Sequence, residues 1–203
     1  FSNVMNKNVL KCPDTDICVS VIMCAKDEEK SLSGSIKCLV NQTYKGKIKI
    51  LVVDNNSKDK TKEIIEKYER NSSKNREVRY VLCSKCGKCN ALNCALGMIE
   101  TEYFITVDAD TFLDRRAVQN IMNHITYKKC GCVAGNLFAK SGRSLISRMQ
   151  IYDYMLSIAA IKRFQGSYKS TLVAQGAFSA FSTVCVKKFG GWKKCLGEDI
   201  VLT

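Results

Sequence analysis

Short apolar runs alternate with amphipathic stretches over the first two thirds of the chain. Runs rich in β-branched residues predict strands at residues 19–24, 48–53, 78–83, 103–107 and 132–138. Between them, apolar residues recur at helical spacing and predict helices at residues 31–42, 59–69, 90–99 and 115–126. This alternation is typical of a mostly parallel sheet with helices on both faces. The pattern therefore predicts an α/β domain that binds its ligands beyond the carboxyl ends of the strands.

The pattern changes after residue 138. Residues 144–164 have the spacing of one long helix with a broad apolar stripe, and basic residues cluster near its ends: Arg143, Arg148, Lys162, Arg163 and Lys169. This composition predicts that residues 143–169 face a membrane in the full-length protein, and a helix packed on the domain's own core is the alternative. Residues 174–181 are small and aromatic, which suits a close approach of backbones, and residues 190–192 form a turn that carries the only tryptophan.

Length and charge narrow the class of protein. A chain of 203 residues with one proline fits a single large α/β domain. The net charge of +13 favours anionic partners, although scattered lysines also fit an ordinary solvated surface. No apolar run approaches the roughly 18–20 residues that span a bilayer, and no signal-peptide pattern is present. Because the chain starts at Phe1 and stops at Thr203, just past a Gly-Glu-Asp segment, we expect it to be part of a longer protein.

Twelve cysteines would suit a disulfide framework in a small secreted domain, but this chain is too long and too regular for one. Several of them lie among apolar residues, where cysteine behaves as a small buried hydrophobe. We therefore expect free thiols and a reducing compartment. The spacing of Cys83, Cys86 and Cys89 leaves a zinc site as the alternative.

Polar residues follow three of the predicted strands. Asp54, Asp108 and the loop at residues 25–29 all fall at the carboxyl ends, where a parallel sheet binds ligands. In an extended chain, Asp108 and Asp110 point to one face and can share a hard cation with phosphate oxygens. Lys88 precedes a helix, where N–H groups and a cationic side chain attract phosphate. Each feature alone also fits a solvated turn, a helix cap or a solvated lysine, but together they predict one site for a diphosphate and a divalent cation.

Four segments in a fixed order resemble family 2 glycosyltransferases, which have the GT-A fold. Val-Val-Asp-Asn-Asn-Ser at residues 52–57 is similar to the family's Val-Val-Asp-Asp-Gly-Ser, and residues 87–93 are similar to its Gly-Lys-x-x-Ala-Leu-Asn. Residues 108–110 match its Asp-x-Asp, and residues 197–199 match its (Thr/Gly)-Glu-Asp. Further segments resemble the membrane-embedded processive branch, the synthases of poly-N-acetylglucosamine, chitin, hyaluronan and cellulose: residues 149–154, 176–178, 180–181, 190–192 and 198–203.

The chain departs from the family pattern at several positions. Residues 24–28, Cys-Ala-Lys-Asp-Glu, replace Pro-Ala-Tyr-Asn-Glu, which predicts an altered uridine pocket. Asn55 and Asn56 replace Asp-Gly, and Ser182 stands where many members have arginine. The Gln-x-x-Arg-Trp motif that grips the acceptor in processive members is not found in these 203 residues.

The resemblance implies a single GT-A domain over residues 1–203, truncated at its C-terminal end. Residues 19–140 would bind the nucleotide sugar, and residues 141–203 would form the acceptor side. It implies an inverting enzyme that uses Mg²⁺ or Mn²⁺ and transfers N-acetylglucosamine or a related hexose from a UDP-sugar to a growing polysaccharide or another hydroxyl acceptor. The implied residues are Asp199 as the catalytic base; Ala25, Asp27, Glu28, Asp54, Lys88, Asn90 and Asp108 for the donor; Asp110 for the metal; and Gln175, Gly176, Trp192 and Glu198 for the acceptor.

Glu198 is the competing candidate for the catalytic base, and a helix cap near Ile200 is the structural alternative for both residues. The resemblance further implies a cytoplasmic domain of a membrane protein, associated with the membrane and without a nucleic-acid partner. The alternative from another class is a non-catalytic basic module that binds nucleic acid or an anionic surface.

Overall fold

The computed structural model describes residues 14–137, 145–153 and 173–194. Within these ranges, the strands are β1 (Val19–Ala25), β2 (Ile48–Asp54), β3 (Arg76–Leu82), β4 (Tyr103–Asp108), β5 (Cys132–Ala134) and β6 (Phe178–Ser182). The helices are α1 (Leu32–Val40), α2 (Thr61–Arg70), α3 (Lys88–Met98), α4 (Ala117–Lys128), α5 (Leu145–Asp153) and α6 (Thr183–Phe189). The strands form one sheet in the order β3-β2-β1-β4-β6-β5.

The parallel part of the sheet is built on β1. This strand pairs in parallel with β2 on one side and with β4 on the other, and β3 extends the sheet beyond β2. Six of the seven residues of β1 are buried, which explains why its sequence is an almost continuous apolar run. The register places Ala25 beside Asp54 and Cys24 beside Asp108, so the predicted polar strand ends lie side by side.

The sheet continues on the other side of β4 with antiparallel pairing. Strand β6 lies between β4 and β5 and runs antiparallel to both. The segment predicted for the acceptor side therefore contributes a strand to the same sheet as the nucleotide-binding segment. Its small residues match this position, because Ala180 lies against Ile105 of β4 and against Val133 of β5, and Ala180 is fully buried.

Helices cover both faces of the sheet. On one face, buried side chains of α1, α2 and α4 pack against alternate strand residues such as Val21 and Met23. On the other face, α3 and α6 pack against Ile22, Val53 and Phe104. Neighbouring residues of one strand point to opposite faces of the sheet. The same buried strands therefore contribute side chains to the packing against both layers of helices.

The prediction of an α/β fold with a mostly parallel sheet and helices on both faces is confirmed. The last predicted strand is shorter than expected, since β5 ends at Ala134. The strand β6 was not predicted as a strand at all. Of the long helix predicted at residues 144–164, the structure describes only α5, and the remainder lies outside the described residues. Among the helices that the structure describes, none has both the length and the apolar composition to cross a membrane.

Candidate active site

A cavity of about 330 Å³ opens at the carboxyl edge of the parallel strands. Strand ends of β1 and β4 and the start of α3 surround it, which is where ligands bind in open α/β sheets. The side chains of the cavity combine two cationic groups with three carboxylates. Its lining residues are Cys24, Ala25, Lys26, Glu28, Asn55, Gly87, Lys88, Ala91, Asp108, Ala109 and Asp110.

The two aspartates of the Asp-x-Asp segment line this cavity together. Asp108 is the last residue of β4, and its side chain is 32% exposed. The chain then turns, because the N–H group of Thr111 donates to the carbonyl of Asp108 at 3.0 Å. The expectation of an extended chain at these residues is therefore wrong, and the turn brings the exposed Asp110 to the cavity that Asp108 also faces.

Lys88 forms an ion pair with the first of these carboxylates. Its Nζ lies 2.7 Å from Oδ1 of Asp108, and the two side chains are 38% and 32% exposed. Lys88 is the first residue of α3, directly after Gly87, whose φ of 116° favours glycine. The helix start therefore presents a lysine ammonium and the positive end of the helix dipole to the cavity, which is a favourable arrangement for phosphate.

Asp54, another of the predicted donor residues, is only 3% exposed and does not line the cavity. Its Oδ1 accepts a hydrogen bond from the N–H of Ser57 at 2.9 Å, and its Oδ2 accepts one from the hydroxyl of Tyr80 at 3.2 Å. Burial, followed by the nearby Asp54 carboxylate, raises the pKa of Tyr80 to about 12, so this phenol keeps its proton. In this arrangement, Asp54 holds the turn after β2.

The loop between β1 and α1 is joined to the loop between β2 and α2 by several hydrogen bonds. The N–H of Asp27 donates to Ser57 Oγ at 3.0 Å, and Asp27 Oδ1 accepts from the N–H of Lys58 at 2.7 Å. The N–H of Glu28 donates to Thr61 Oγ1 at 2.9 Å. Ala25 and Glu28 line the cavity, whereas Asp27 fixes the loop that carries them.

Two further features of the site concern α3 and its neighbours. Asn90 lies in the first turn of α3, close to the cavity, but it does not line the cavity. Its Nδ2 donates instead to the carbonyl of Cys86 at 2.7 Å. Cys24 lines the cavity from β1. Burial is the main cause that raises the pKa of Cys24 to about 12, and Lys88 acts in the opposite direction. This thiol therefore stays protonated at neutral pH.

The predicted acceptor residues fall in different places. Gln175 and Gly176 lie beside the Asp-x-Asp segment, because the N–H of Asp108 donates to the carbonyl of the next residue, Ala177, at 3.3 Å. The Oε1 atom of Gln175 is buried and has no hydrogen-bond partner among the described residues. Glu198 and Asp199, the two candidates for the catalytic base, lie outside the described residues.

Trp192 lies in the core and offers no open ring face to a sugar. It is 4% exposed and contacts the rings of Phe104 and Phe181 edge-on, with centroid distances of 6.0 and 6.1 Å. Its backbone is held by Asn93, whose side chain both donates to the Trp192 carbonyl and accepts from the Trp192 N–H. We therefore leave Trp192 out of the candidate site.

The cavity suits a divalent cation that shares its ligands with a diphosphate. Asp108 and Asp110 supply carboxylate oxygens, the ligands that Mg²⁺ and Mn²⁺ prefer. Within residues 14–137, 145–153 and 173–194, no group of three histidine, cysteine, aspartate or glutamate side chains could hold a metal ion. Two carboxylates therefore need further oxygens from a phosphate ligand or from water, which is usual for Mg²⁺. In these ranges, Cys83, Cys86 and Cys89 do not form such a group either.

The lining residues that were not predicted as site residues include one charged and one amide side chain, those of Lys26 and Asn55. Lys26 follows β1 and lines the cavity with an exposed side chain. Asn55 follows Asp54 and is 4% exposed, yet it lines the cavity as well. Lys26 belongs to the loop at residues 25–29 that the sequence places at this edge of the sheet, and Asn55 is one of the departures from the family pattern. The signal was therefore present in the sequence, but only the fold shows that both side chains reach the site.

Solved structures place this fold in a known class of enzymes. A mannosyltransferase from Pyrobaculum calidifontis, PcManGT in complex with GDP-Man and Mn²⁺, superposes with a TM-score of 0.74 and 21% identity, over 99% of this chain and 55% of that one. Staphylococcus aureus TarS 1–349 in complex with UDP-GlcNAc superposes with a TM-score of 0.65 and 20% identity, over 92% of this chain and 52% of that one. The chain has the GT-A fold of glycosyltransferases.

Sequence comparison identifies the family. The model of glycosyl transferase family 2 matches residues 20–190, and the chain belongs to this family. A poly-beta-1,6-N-acetyl-D-glucosamine synthase of Staphylococcus epidermidis is 27% identical over 188 residues, which cover 91% of this chain and 44% of the relative. The corresponding synthase of Staphylococcus aureus strain COL is 25% identical over 209 residues, which cover 100% of this chain and 50% of the relative. The chain thus spans about half the length of these relatives.

Proposed function

We propose that this chain is the donor-binding domain of an inverting glycosyltransferase that takes its sugar from a UDP-sugar. The observation that carries this proposal is the single cavity where Lys88, Asp108 and Asp110 converge at the carboxyl edge of the sheet. A diphosphate needs cationic and N–H partners, and a divalent cation needs carboxylate oxygens. The family match supports the same conclusion, and no feature of the described residues favours the alternative of a non-catalytic basic module.

In the proposed mechanism, the helix start at Gly87 and Lys88 would bind the diphosphate, and Asp108 and Asp110 would hold Mg²⁺ or Mn²⁺. The bound cation would neutralise negative charge that develops on the departing UDP. The ammonium of Lys88 stabilises the same charge by direct contact, because it already lies at the cavity and pairs with Asp108. Asp108 thus orients Lys88 toward the cavity before the diphosphate binds.

The acceptor side of the proposal rests on sequence. Asp199 would take the proton from the acceptor hydroxyl as this oxygen attacks the anomeric carbon, a step of general-base catalysis worth roughly 10²- to 10⁴-fold. Gln175 and Gly176 would border the acceptor, and the hydrogen bond from the Asp108 N–H to the carbonyl of the neighbouring Ala177 supports this assignment. The staphylococcal relatives are synthases of poly-N-acetylglucosamine, so we propose N-acetylglucosamine as the sugar and a growing polysaccharide as the acceptor.

We further propose that the full-length protein works at a membrane, with this domain on the cytoplasmic side. The relatives that support this proposal are about twice as long as the chain. A cytoplasmic position also agrees with a chain that carries twelve cysteines, because reducing conditions keep thiols free. Of the described residues, α5 offers the feature most relevant to a membrane surface, since Ile146, Met149 and Tyr152 are all at least 65% exposed.

Calorimetric titration with UDP and Mn²⁺ tests donor binding by this chain. We expect binding that is weakened by EDTA and by Asp110→Ala, because both remove oxygen–metal contacts that the diphosphate shares. Asp114→Ala is the matched control, since Asp114 lies four residues further along the chain and does not line the cavity. Equal affinity with EDTA or in Asp110→Ala would contradict the role of the metal.

Sugar transfer is tested with the longer natural protein that contains this chain. Asp199→Asn should abolish transfer of N-acetylglucosamine from its UDP conjugate and leave UDP affinity unchanged, because the base acts on the acceptor. Glu198→Gln serves as the comparison. Near-normal turnover in Asp199→Asn, or a parallel loss of UDP affinity, would show that Asp199 is not the base.

A further inference from the structure

Asn55 occupies an unusual position at the end of β2. It is 4% exposed, and it also lines the cavity proposed for the diphosphate. Its backbone N–H donates to the carbonyl of Ala25 at 2.9 Å, which extends the pairing of β1 and β2 by one residue. The backbone of Asn55 is therefore hydrogen-bonded to the sheet independently of its side chain.

The side chain of Asn55 spans the loop between β3 and α3. Its Nδ2 donates to the carbonyls of Cys83 at 3.1 Å and Lys85 at 2.8 Å. Its Oδ1 accepts from the N–H of Gly87 at 2.8 Å. One buried amide thus makes three hydrogen bonds to the backbone of a five-residue segment. Both N–H groups of the amide are used, so an aspartate, the family residue at this position, could make only the bond to Gly87.

This segment ends at the groups that we assign to the diphosphate. Gly87 precedes α3 with a φ of 116°, and Lys88 is the first residue of the helix. The ammonium of Lys88 reaches Oδ1 of Asp108 at 2.7 Å. Because Gly87 is conformationally permissive, its geometry depends on the contacts that hold it. The hydrogen bond from Gly87 to Asn55 is a direct link between the rigid sheet and the start of α3.

We propose that Asn55 is a positioning residue for a nucleoside diphosphate. It holds the turn at Gly87 and Lys88 so that the N–H groups of the helix start and the lysine ammonium meet the diphosphate without rearrangement. Preorganised donors bind more tightly because no ordering cost is left for the binding step. This inference rests on the proposed function for the ligand, but its structural half concerns the ligand-free protein.

The structural half is tested by amide hydrogen exchange at residues 83–88 without ligand. Asn55→Ala should raise exchange at the Gly87 amide at least tenfold, since this N–H loses its acceptor. Asn93→Ala is the matched control: it removes an asparagine of α3 that makes two hydrogen bonds to the backbone of Trp192 and does not line the cavity. Unchanged Gly87 exchange in Asn55→Ala would overturn the proposal.

The ligand half is tested by calorimetry with UDP and Mn²⁺. We expect Asn55→Ala to weaken UDP binding about tenfold, the size expected when one hydrogen-bonded contact is lost, and Asn93→Ala to stay within twofold. If Asn55 acts through the turn, combining Asn55→Ala with Lys88→Met should cost less than the product of the two single losses. A fully multiplicative loss, or a single loss below twofold, would overturn the proposal.

Asn55→Asp keeps the shape of the side chain and provides a variant should Asn55→Ala fail to fold. It removes both N–H donors and keeps the acceptor for Gly87, so we expect weaker UDP binding than in the unaltered chain. Equal binding would show that the bonds to Cys83 and Lys85 do not matter. Failure of the unaltered chain to bind UDP would instead refute the proposed function. The hydrogen-exchange measurement would then decide, without any ligand, whether Asn55 holds the turn at Gly87.

Discussion

Replacing Lys88 by methionine should change protein stability, nucleotide binding and metal binding in three different ways. The substitution keeps most of the aliphatic stem and removes the charge. The Lys88–Asp108 pair is 2.7 Å long, but its side chains are 38% and 32% exposed. Solvent-exposed ion pairs contribute about 0–1 kcal/mol, so we expect the free energy of unfolding to fall by less than about 1 kcal/mol. Urea unfolding measures this change.

Nucleotide binding should suffer more. A hydrogen bond to a charged group contributes about 1.5–3 kcal/mol, so losing the contact between Lys88 and a phosphate should weaken UDP binding about 10- to 100-fold. Metal binding without nucleotide should improve, because the ammonium competes with the cation for Asp108. Unit charges 4 Å apart interact by about 1 kcal/mol in water, and a divalent ion doubles this. With screening by salt, we expect Mn²⁺ alone to bind about 3- to 10-fold more tightly.

Calorimetry with UDP in excess Mn²⁺ and electron paramagnetic resonance of free Mn²⁺ give the two affinities. Lys85→Met is the matched control, since Lys85 lies three residues earlier, is exposed and does not line the cavity. It should leave both affinities within twofold. Two results would refute this reasoning: Lys88→Met weakens the binding of both Mn²⁺ and UDP, or it leaves UDP affinity within twofold. Either result would show that Lys88 does not exchange its contact with Asp108 for one with a phosphate.

Three further predictions test other parts of the molecule. Trp192→Ala should lower the free energy of unfolding by about 3–5 kcal/mol in urea and leave UDP affinity within twofold, because the ring fills the core; a large loss of UDP affinity in folded protein would contradict this. Alkylation at pH 8 should label the exposed Cys86 within minutes and spare Cys24, because the raised pKa of Cys24 leaves a thiolate fraction of about 10⁻⁴; equal labelling would refute this. Metal analysis should find no stoichiometric zinc, and zinc that is lost on Cys86→Ser would refute the expectation of free thiols. The chain should sediment with anionic liposomes through the apolar residues of α5 and nearby basic groups, and less so after Arg148→Glu; no binding at low salt would end the membrane proposal for this segment.

The parallel half of the fold was predictable because its signals are local. Strand β1 is a run of buried apolar residues, and α1, α2, α3 and α4 carry apolar residues at helical spacing. Strand β6 was missed because Phe178–Ser182 is short and rich in small residues. Its extended conformation is set by hydrogen bonds to β4 and β5, which are distant in sequence. A pattern that depends on such pairing cannot be recognised from five residues alone.

The position of the site at the carboxyl edge of the sheet could be predicted from the sequence, but the individual contacts within the site could not. The convergence of Asp108, Asp110 and Lys88 follows from the order of strands and helices. The burial of Trp192 does not, because it depends on the rings of Phe104 and Phe181, which come from two other strands. A lone tryptophan near a proposed acceptor site has the same sequence signature whether its ring stacks on a sugar or fills the core.

Burial separates the roles of the polar residues that follow the strands. Asp54 and Asn55 are almost fully buried, and their side-chain atoms are used to hold turns and loops. Asp108 and Lys88 are about one third exposed and form an ion pair that solvent reaches, so a ligand can displace this pairing at little cost. A buried polar group that gave up its partner would lose about 1–3 kcal/mol, which a ligand must then replace in full. We therefore expect the buried pair to build the site and the exposed pair, with Asp110, to bind the proposed diphosphate and cation.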